Sequence, residues 1–188
     1  NGADARDISE RDPMWLKGKG DDFYRSKDFH SAVNAYTAAI AASDPEGEPA
    51  LLAALGNRAA CYLRLGKHSL CVEDCARVIE LLPPVPANAA SGQLHPMALR
   101  KCQHAPRARI LVRRGAACCE LGEYAAAVRD YEEAISILLL DQQVLTGAPA
   151  GMQLPPEQVE RAKQQIHALH DDLRRIRALS ECAQLKEA

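Results

Sequence analysis

Small and bulky apolar residues recur along this chain at helical spacing, and the pattern returns three times. The segments "KGDDFYRSKDFHSAVNAYTAAI", "RAACYLRLGKHSLCVEDCARVI" and "RGAACCELGEYAAAVRDYEEAI" overlay without a gap. Gly20, Ala59 and Gly115 share one small position, and Phe23, Tyr62 and Cys118 follow three residues later. Phe29, His68 and Tyr124 fall nine residues after the small position. Next come Ala32, Cys71 and Ala127, then Tyr36, Cys75 and Tyr131, then Ala39, Val78 and Ala134, each followed by Ile. Each copy predicts two helices joined by a short turn. The small positions let the two backbones approach where the helices cross, and the bulky positions fill the space on either side. The units span about Pro13–Glu46, Leu52–Val85 and Ala108–Asp141, and Pro83 ends the second helix of the second unit.

After Pro155 and Pro156 a further helix runs to about Leu185. Val159, Ala162, Ile166, Leu169, Leu173 and Ile176 alternate by three and four along it, which is a heptad seam. Stacked helical repeats need a terminal helix over the last apolar face, so this element reads as a cap. Its roughly 30 residues would span about 45 Å, at least twice the length of a repeat helix. Part of it is therefore expected to project. If the seam only caps the third unit, truncation after Asp172 is expected to leave stability nearly unchanged, because the first half does the covering; if the projecting half self-associates, truncation should abolish a concentration-dependent mass. Between the second and third units, five prolines from Pro83 to Pro106 argue against one continuous helix. That stretch reads as a surface loop with a helical turn at 97–101, and a functional lid is the alternative. The organisation is all-α: a polar extension at 1–12, a three-repeat helical solenoid at 13–141 with the insertion at about 84–107, a loop at 142–154 and a capping helix at 155–186.

Composition fits this reading. Of 188 residues, 47% are hydrophobic but only 4% aromatic, so Ala and Leu supply most of the apolar surface, as closely packed helices require. A net charge of −2 gives no electrostatic footprint for nucleic acid. No apolar run reaches membrane-spanning length, and no signal peptide opens the chain. The polar start without Met reads as a piece of something longer. Seven cysteines, odd in number and without paired spacing, fit a reducing compartment better than a disulfide framework. Cys71 and Cys75 stand one turn apart and Cys102 and His104 lie close together, but the first pair occupies core positions where a thiol serves as a small apolar group. His167 and His170 lack the Glu of a zinc-protease motif and read as partly exposed side chains. "GKG" at 18–20 lacks the spacer and hydroxyl of a phosphate loop and falls within a helix. No catalytic grouping can be assembled, and no metal or cofactor is implied; the chain reads as a non-enzyme.

The pattern resembles the tetratricopeptide repeat family, with its small eighth position, bulky eleventh, glycine near the fifteenth and alanines at the twentieth and twenty-seventh. Proteins of this fold that hold the C-terminal Glu-Glu-Val-Asp tails of heat-shock proteins 90 and 70 use a carboxylate clamp of Lys, Asn and Arg on the first helices of successive units. The matching places here hold Lys17, Asp21, Asn57, Arg109 and Arg113. Lys17, Asn57 and Arg113 keep the clamp residue, Arg109 replaces Lys, and Asp21 replaces Asn. A terminal Asp presents two carboxylates, so cations and amide donors on rigid helices suit it. The competing reading is that these are solvated groove residues. Ionised Asp can only accept hydrogen bonds, and like charges about 4 Å apart repel by some 1–4 kcal/mol. Lys17, one turn earlier, is placed to pair with Asp21. Weaker binding than a full clamp gives is therefore expected, with lower pH helping if Asp21 takes up a proton while the ligand stays ionised.

Over residues 12–140 the resemblance narrows, with "ELLPPV" and "RRG" as its most telling pieces, to the C-terminal repeat domain of the dyslexia-susceptibility family of dynein axonemal assembly factors. It implies a cytoplasmic co-chaperone in the pre-assembly of dynein arms of cilia and flagella. The implied partners are the heat-shock protein tails and other dynein assembly factors, with dynein chains as clients. The sperm-associated antigen and polymerase-associated classes are related alternatives. A general interaction scaffold, using its tail helix or convex face without chaperone tails, is the other reading.

Overall fold

The computed structural model describes residues 12–44, 49–82, 104–146 and 155–187. Seven helices fill them: α1 (Pro13–Arg25), α2 (Phe29–Ala42), α3 (Pro49–Arg64), α4 (His68–Leu81), α5 (His104–Glu120), α6 (Tyr124–Thr146) and α7 (Pro156–Glu187). Among the described residues there is no strand, and no helix is long and apolar enough to cross a membrane. The fold is that of tandem helix–turn–helix repeats. The proline-rich insertion before His104 and its turn at 97–101 lie outside the described residues. The chain divides between Leu81 and Leu82 into two compact units, the first unit holding repeats one and two and the second unit holding repeat three and α7.

Helix ends follow local chemistry. Asp12 caps α1 by accepting from the Met14 and Trp15 amides at 3.4 and 3.2 Å, with Pro13 in the first turn. Asp28 caps α2 through the Ser31 amide at 3.1 Å. The turn between paired helices takes a left-handed residue at one place in all three repeats, seven after the small position. Gly66 (φ 69°) and Gly122 (φ 78°) hold it in the second and third, and Lys27 (φ 65°) in the first. A side chain there crowds the backbone, so Lys27 carries a strain that its glycine counterparts avoid.

In the first unit α1 packs on α2, α2 on α3 and α3 on α4. Ala32, Ala39, Ala54, Ala59 and Cys61 are wholly buried between them. Arg58 of α3 grips Asp74 of α4 through Nε at 2.8 Å and Nη2 at 2.7 Å, and its Nη1 donates to Thr37 of α2 at 3.0 Å. The second unit repeats the clasp, with Arg114 of α5 on Asp130 of α6 at 2.8 and 2.5 Å. Asp74 and Asp130 are buried, so losing either arginine would leave an uncompensated charge. The first repeat has Lys19 and Ala35 at these places, and Lys19 lies over the Trp15 ring at 5.3 Å instead.

In the second unit α5 packs on α6 and α6 on α7. Helix α5 starts at His104, a turn before the repeat unit itself begins at about Ala108, and Pro106 falls in its first turn, where a missing amide costs nothing. Helix α6 runs past Asp141 to Thr146, since no Gly or Pro interrupts the run before Gly147. Along α7, Ile166, Leu169, Leu173 and Ile176 are buried, and Arg177 reaches Glu132 of α6 at 2.5 Å. The covering therefore continues past Asp172, which corrects the expectation that the first half alone seals the stack. Leu179 and Leu185 beyond it are 49% and 79% exposed.

Two outcomes follow. Lys27→Gly should raise unfolding stability in urea by about 1 kcal/mol, whereas Gly66→Ala should lower it by a similar amount. Truncation after Asp172 should lower the melting temperature measurably, because it removes two buried side chains worth about 2 kcal/mol each, while truncation after Ala178 should not.

Candidate functional site

The first unit brings three of the five clamp places together. Lys17 and Asp21 lie one turn apart on α1, and Lys17 Nζ donates to Asp21 Oδ2 at 2.6 Å. Asn57, on α3, donates from Nδ2 to Asp21 Oδ1 at 3.0 Å. Tyr36, on α2, donates its hydroxyl to the same Oδ1 at 2.8 Å. One carboxylate thus gathers an ammonium, an amide and a phenol from three helices. The Lys17 and Asp21 side chains keep 24% and 25% of their exposure, so the cluster is open to water on one side.

Glycine makes this geometry possible. A Cβ on Gly20 would sit 2.4 Å from Tyr36 Cε1 and 2.8 Å from Cζ, so the ring rests on bare backbone. That seat directs the hydroxyl at Asp21, the next residue. The third repeat packs Tyr131 on Gly115 in the same way, at 2.7 Å, but the residue after it is Ala116. The second has Cys75 and Ala60 at these places. Only the first repeat joins a tyrosine to a carboxylate here. Tyr36 was legible as a packing residue; its hydroxyl, which needs a partner when buried, was the overlooked signal.

Burial pushes the Asp21 carboxyl upward, but hydrogen bonds from Lys17, Tyr36 and Asn57 and the Lys17 charge outweigh it and leave the group below its ordinary value. Burial, with the Asp21 hydrogen bond and charge added, drives the Tyr36 phenol far up. Asp21 is therefore ionised at neutral pH, and the stability its pairing contributes is lost only as pH falls below the usual carboxylate range. The shift runs against the protonation of Asp21 on which the low-pH expectation depends.

The other two clamp places belong to the second unit. Arg109 and Arg113 stand one turn apart on α5, the first exposed and the second half-buried. Their helix neighbours Arg107 and Arg114 are committed to α6, Arg107 to Glu133 at 2.9 Å and Arg114 to Asp130.

Elsewhere, Cys71 and Cys75 are fully buried, and burial, aided by Asp130 and Glu123, raises the Cys118 thiol to about 11, so it is an unreactive packing group. Among the described residues no group of three or more His, Cys, Asp or Glu is placed to hold a metal ion. His167 and His170 are exposed.

The seat of Tyr36 can be tested directly. Gly20→Ala should destabilise the unit by about 1–3 kcal/mol in urea unfolding, since the ring is buried and cannot retreat. Gly18→Ala, with nothing within 4 Å of the new methyl, should stabilise by up to about 1 kcal/mol.

A tetratricopeptide repeat model matches residues 108–137. Dynein axonemal assembly factor 4 of Pongo pygmaeus is 36% identical over 129 residues, 68% of this chain and 26% of that protein. The Mus musculus protein of that name is 36% identical over 128 residues, with the same shares covered. Sperm-associated antigen 1 of Homo sapiens is 34% identical over 66% of this chain and 11% of its own length. The chain thus spans about a quarter of the assembly factors it matches. Among solved structures, the N-terminal domain of stress-induced protein-1 from C. elegans superposes with a TM-score of 0.51 at 20% identity, covering 85% of this chain and 98% of that one. The first repeat domain of Spaghetti (RPAP3), bound to the HSP90 peptide SRMEEVD, gives 0.50 at 20% identity, covering 86% and 92%. At that identity the likeness is one of fold.

Proposed function

For a tetratricopeptide repeat chain similar over two thirds of its length to dynein axonemal assembly factor 4, we propose a co-chaperone role in the cytoplasmic pre-assembly of axonemal dynein arms. Its repeats hold the free C-terminal Glu-Glu-Val-Asp tail of heat-shock protein 90 or 70. Other assembly factors are partners and dynein chains are clients; the chain is a scaffold rather than an enzyme. One observation carries this reading. Lys17 and Asn57, named from the clamp pattern, converge on a carboxylate, that of Asp21, at 2.6 and 3.0 Å. The donors are thus held on separate helices in a geometry that suits a carboxylate. Arg109 and Arg113 keep the cationic half of the pattern in the second unit. The repeat domain of Spaghetti bound to an HSP90 peptide supports the fold's fitness for the task.

A second reading rests on the exposed Leu179 and Leu185 at the end of α7, which a protein partner could cover in a scaffold that ignores chaperone tails.

Calorimetric titration separates the two. A peptide ending in free-acid Glu-Glu-Val-Asp should bind, and amidation of its terminus should weaken binding about tenfold or more, equivalent to about 1.4 kcal/mol. Arg113→Ala should lower affinity by a similar factor in a chain that stays folded. Equal affinity for the free-acid and amidated peptides would sink the clamp reading.

A further inference from the structure

The first unit holds its carboxylate donors in an occupied state. Asp21 Oδ2 takes one N–H of Lys17, and Asp21 Oδ1 takes an N–H of Asn57 together with the Tyr36 hydroxyl. The pair formed by Lys17 and Asp21 is electrically neutral, so this part of the site presents no net positive charge to an arriving anion. Two N–H bonds of Lys17 and one of Asn57 remain for other acceptors. An incoming carboxylate would approach Asp21 itself at short range, where like charges repel.

Nothing in the repeat architecture requires this carboxylate. The corresponding residues of the second and third repeats are Ala60 and Ala116, and both repeats fold with alanine there. Tyr131 is buried on Gly115 without a carboxylate at the next residue. The acid at 21 is therefore a feature of the first repeat alone, and it lies where two predicted ligand donors meet.

We propose that Asp21 is a resident carboxylate that occupies the Lys17–Asn57 donor set, so that a peptide's terminal carboxylate binds the first unit only by exchange with it. Asp21 is thereby the residue that sets how strongly the site discriminates a free-acid terminus from a neutral one. The inference rests on the clamp reading for the identity of the ligand, but its geometry is the first unit's own. In the exchange Lys17 and Asn57 turn their donors from Asp21 to the ligand, while Tyr36 stays on Asp21 and keeps its position on Gly20. The wild-type chain then has a set point of weak, exchangeable binding, suited to a partner that must be released.

The test compares wild type with Asp21→Asn and Asp21→Ala, each titrated with the free-acid and the amidated Glu-Glu-Val-Asp peptide at two salt concentrations. Asn keeps an acceptor for Tyr36, adds an amide donor and removes the charge; Ala removes the carboxylate altogether and copies the other repeats. Both variants should bind the free-acid peptide about tenfold more tightly than wild type, with little change for the amidated one, and with a steeper loss of affinity at high salt. A merely structural role for Asp21 would move both peptides alike. If wild type binds the free-acid peptide and neither folded variant gains, the resident-carboxylate inference is wrong and the clamp reading stands. If wild type does not bind but the variants do, Asp21 masks the donor set and the clamp reading fails for the natural chain. If none binds, both are overturned, because donors freed of Asp21 that take no carboxylate are not a carboxylate site. Should one variant fail to fold, the other carries the same comparison.

Discussion

The approach of Tyr36 to Gly20 is the contact on which the first unit's site depends. With a Cβ at residue 20 only 2.4 Å from the ring, α1 and α2 could not cross where they do. The same contact aims the phenol at Asp21, and Asp21 in turn reaches Asn57 on α3. A packing requirement at the helix crossing thus becomes a polar link among three helices. Removing the small side chain's absence, so to speak, by adding one methyl would disturb both packing and electrostatics, because they share one ring.

The three repeats solve the same crossing in two ways. The second and third bind their paired helices with a buried arginine–aspartate clasp, Arg58 on Asp74 and Arg114 on Asp130. The first has neither partner and uses the Tyr36–Asp21 bond instead. It also departs at its turn, where Lys27 accepts the left-handed conformation that Gly66 and Gly122 adopt freely. The first repeat therefore trades local regularity for a polar cluster open to solvent. Departures from a local pattern that leave a reactive or charged group exposed are where function is most readily sought.

Much of this was legible in the sequence because repeats report their own register. Three overlaid copies located the small crossing positions and the turns, and the pairing of Lys17 with Asp21 followed from one helical turn of separation. What escaped was contact between elements. Tyr36 read as volume, since periodicity carries no information about where a hydroxyl points. Asn57 read as a donor waiting for a ligand, because nothing in one sequence places it 3.0 Å from Asp21 across thirty-six residues. The reach of α7 escaped as well, because a heptad seam does not say where its partner helix stops.

The first unit's site depends on Asp21 being an ionised acceptor for three donors. Its most direct measurement is the pH titration of the Asp21 carboxyl carbon by nuclear magnetic resonance, in wild type and in Asn57→Ala. The midpoint should lie below the ordinary 3.8 in wild type and move upward when the Asn57 amide is removed. A wild-type midpoint at or above 3.8, unmoved by loss of Asn57, would show that Asp21 does not hold these donors.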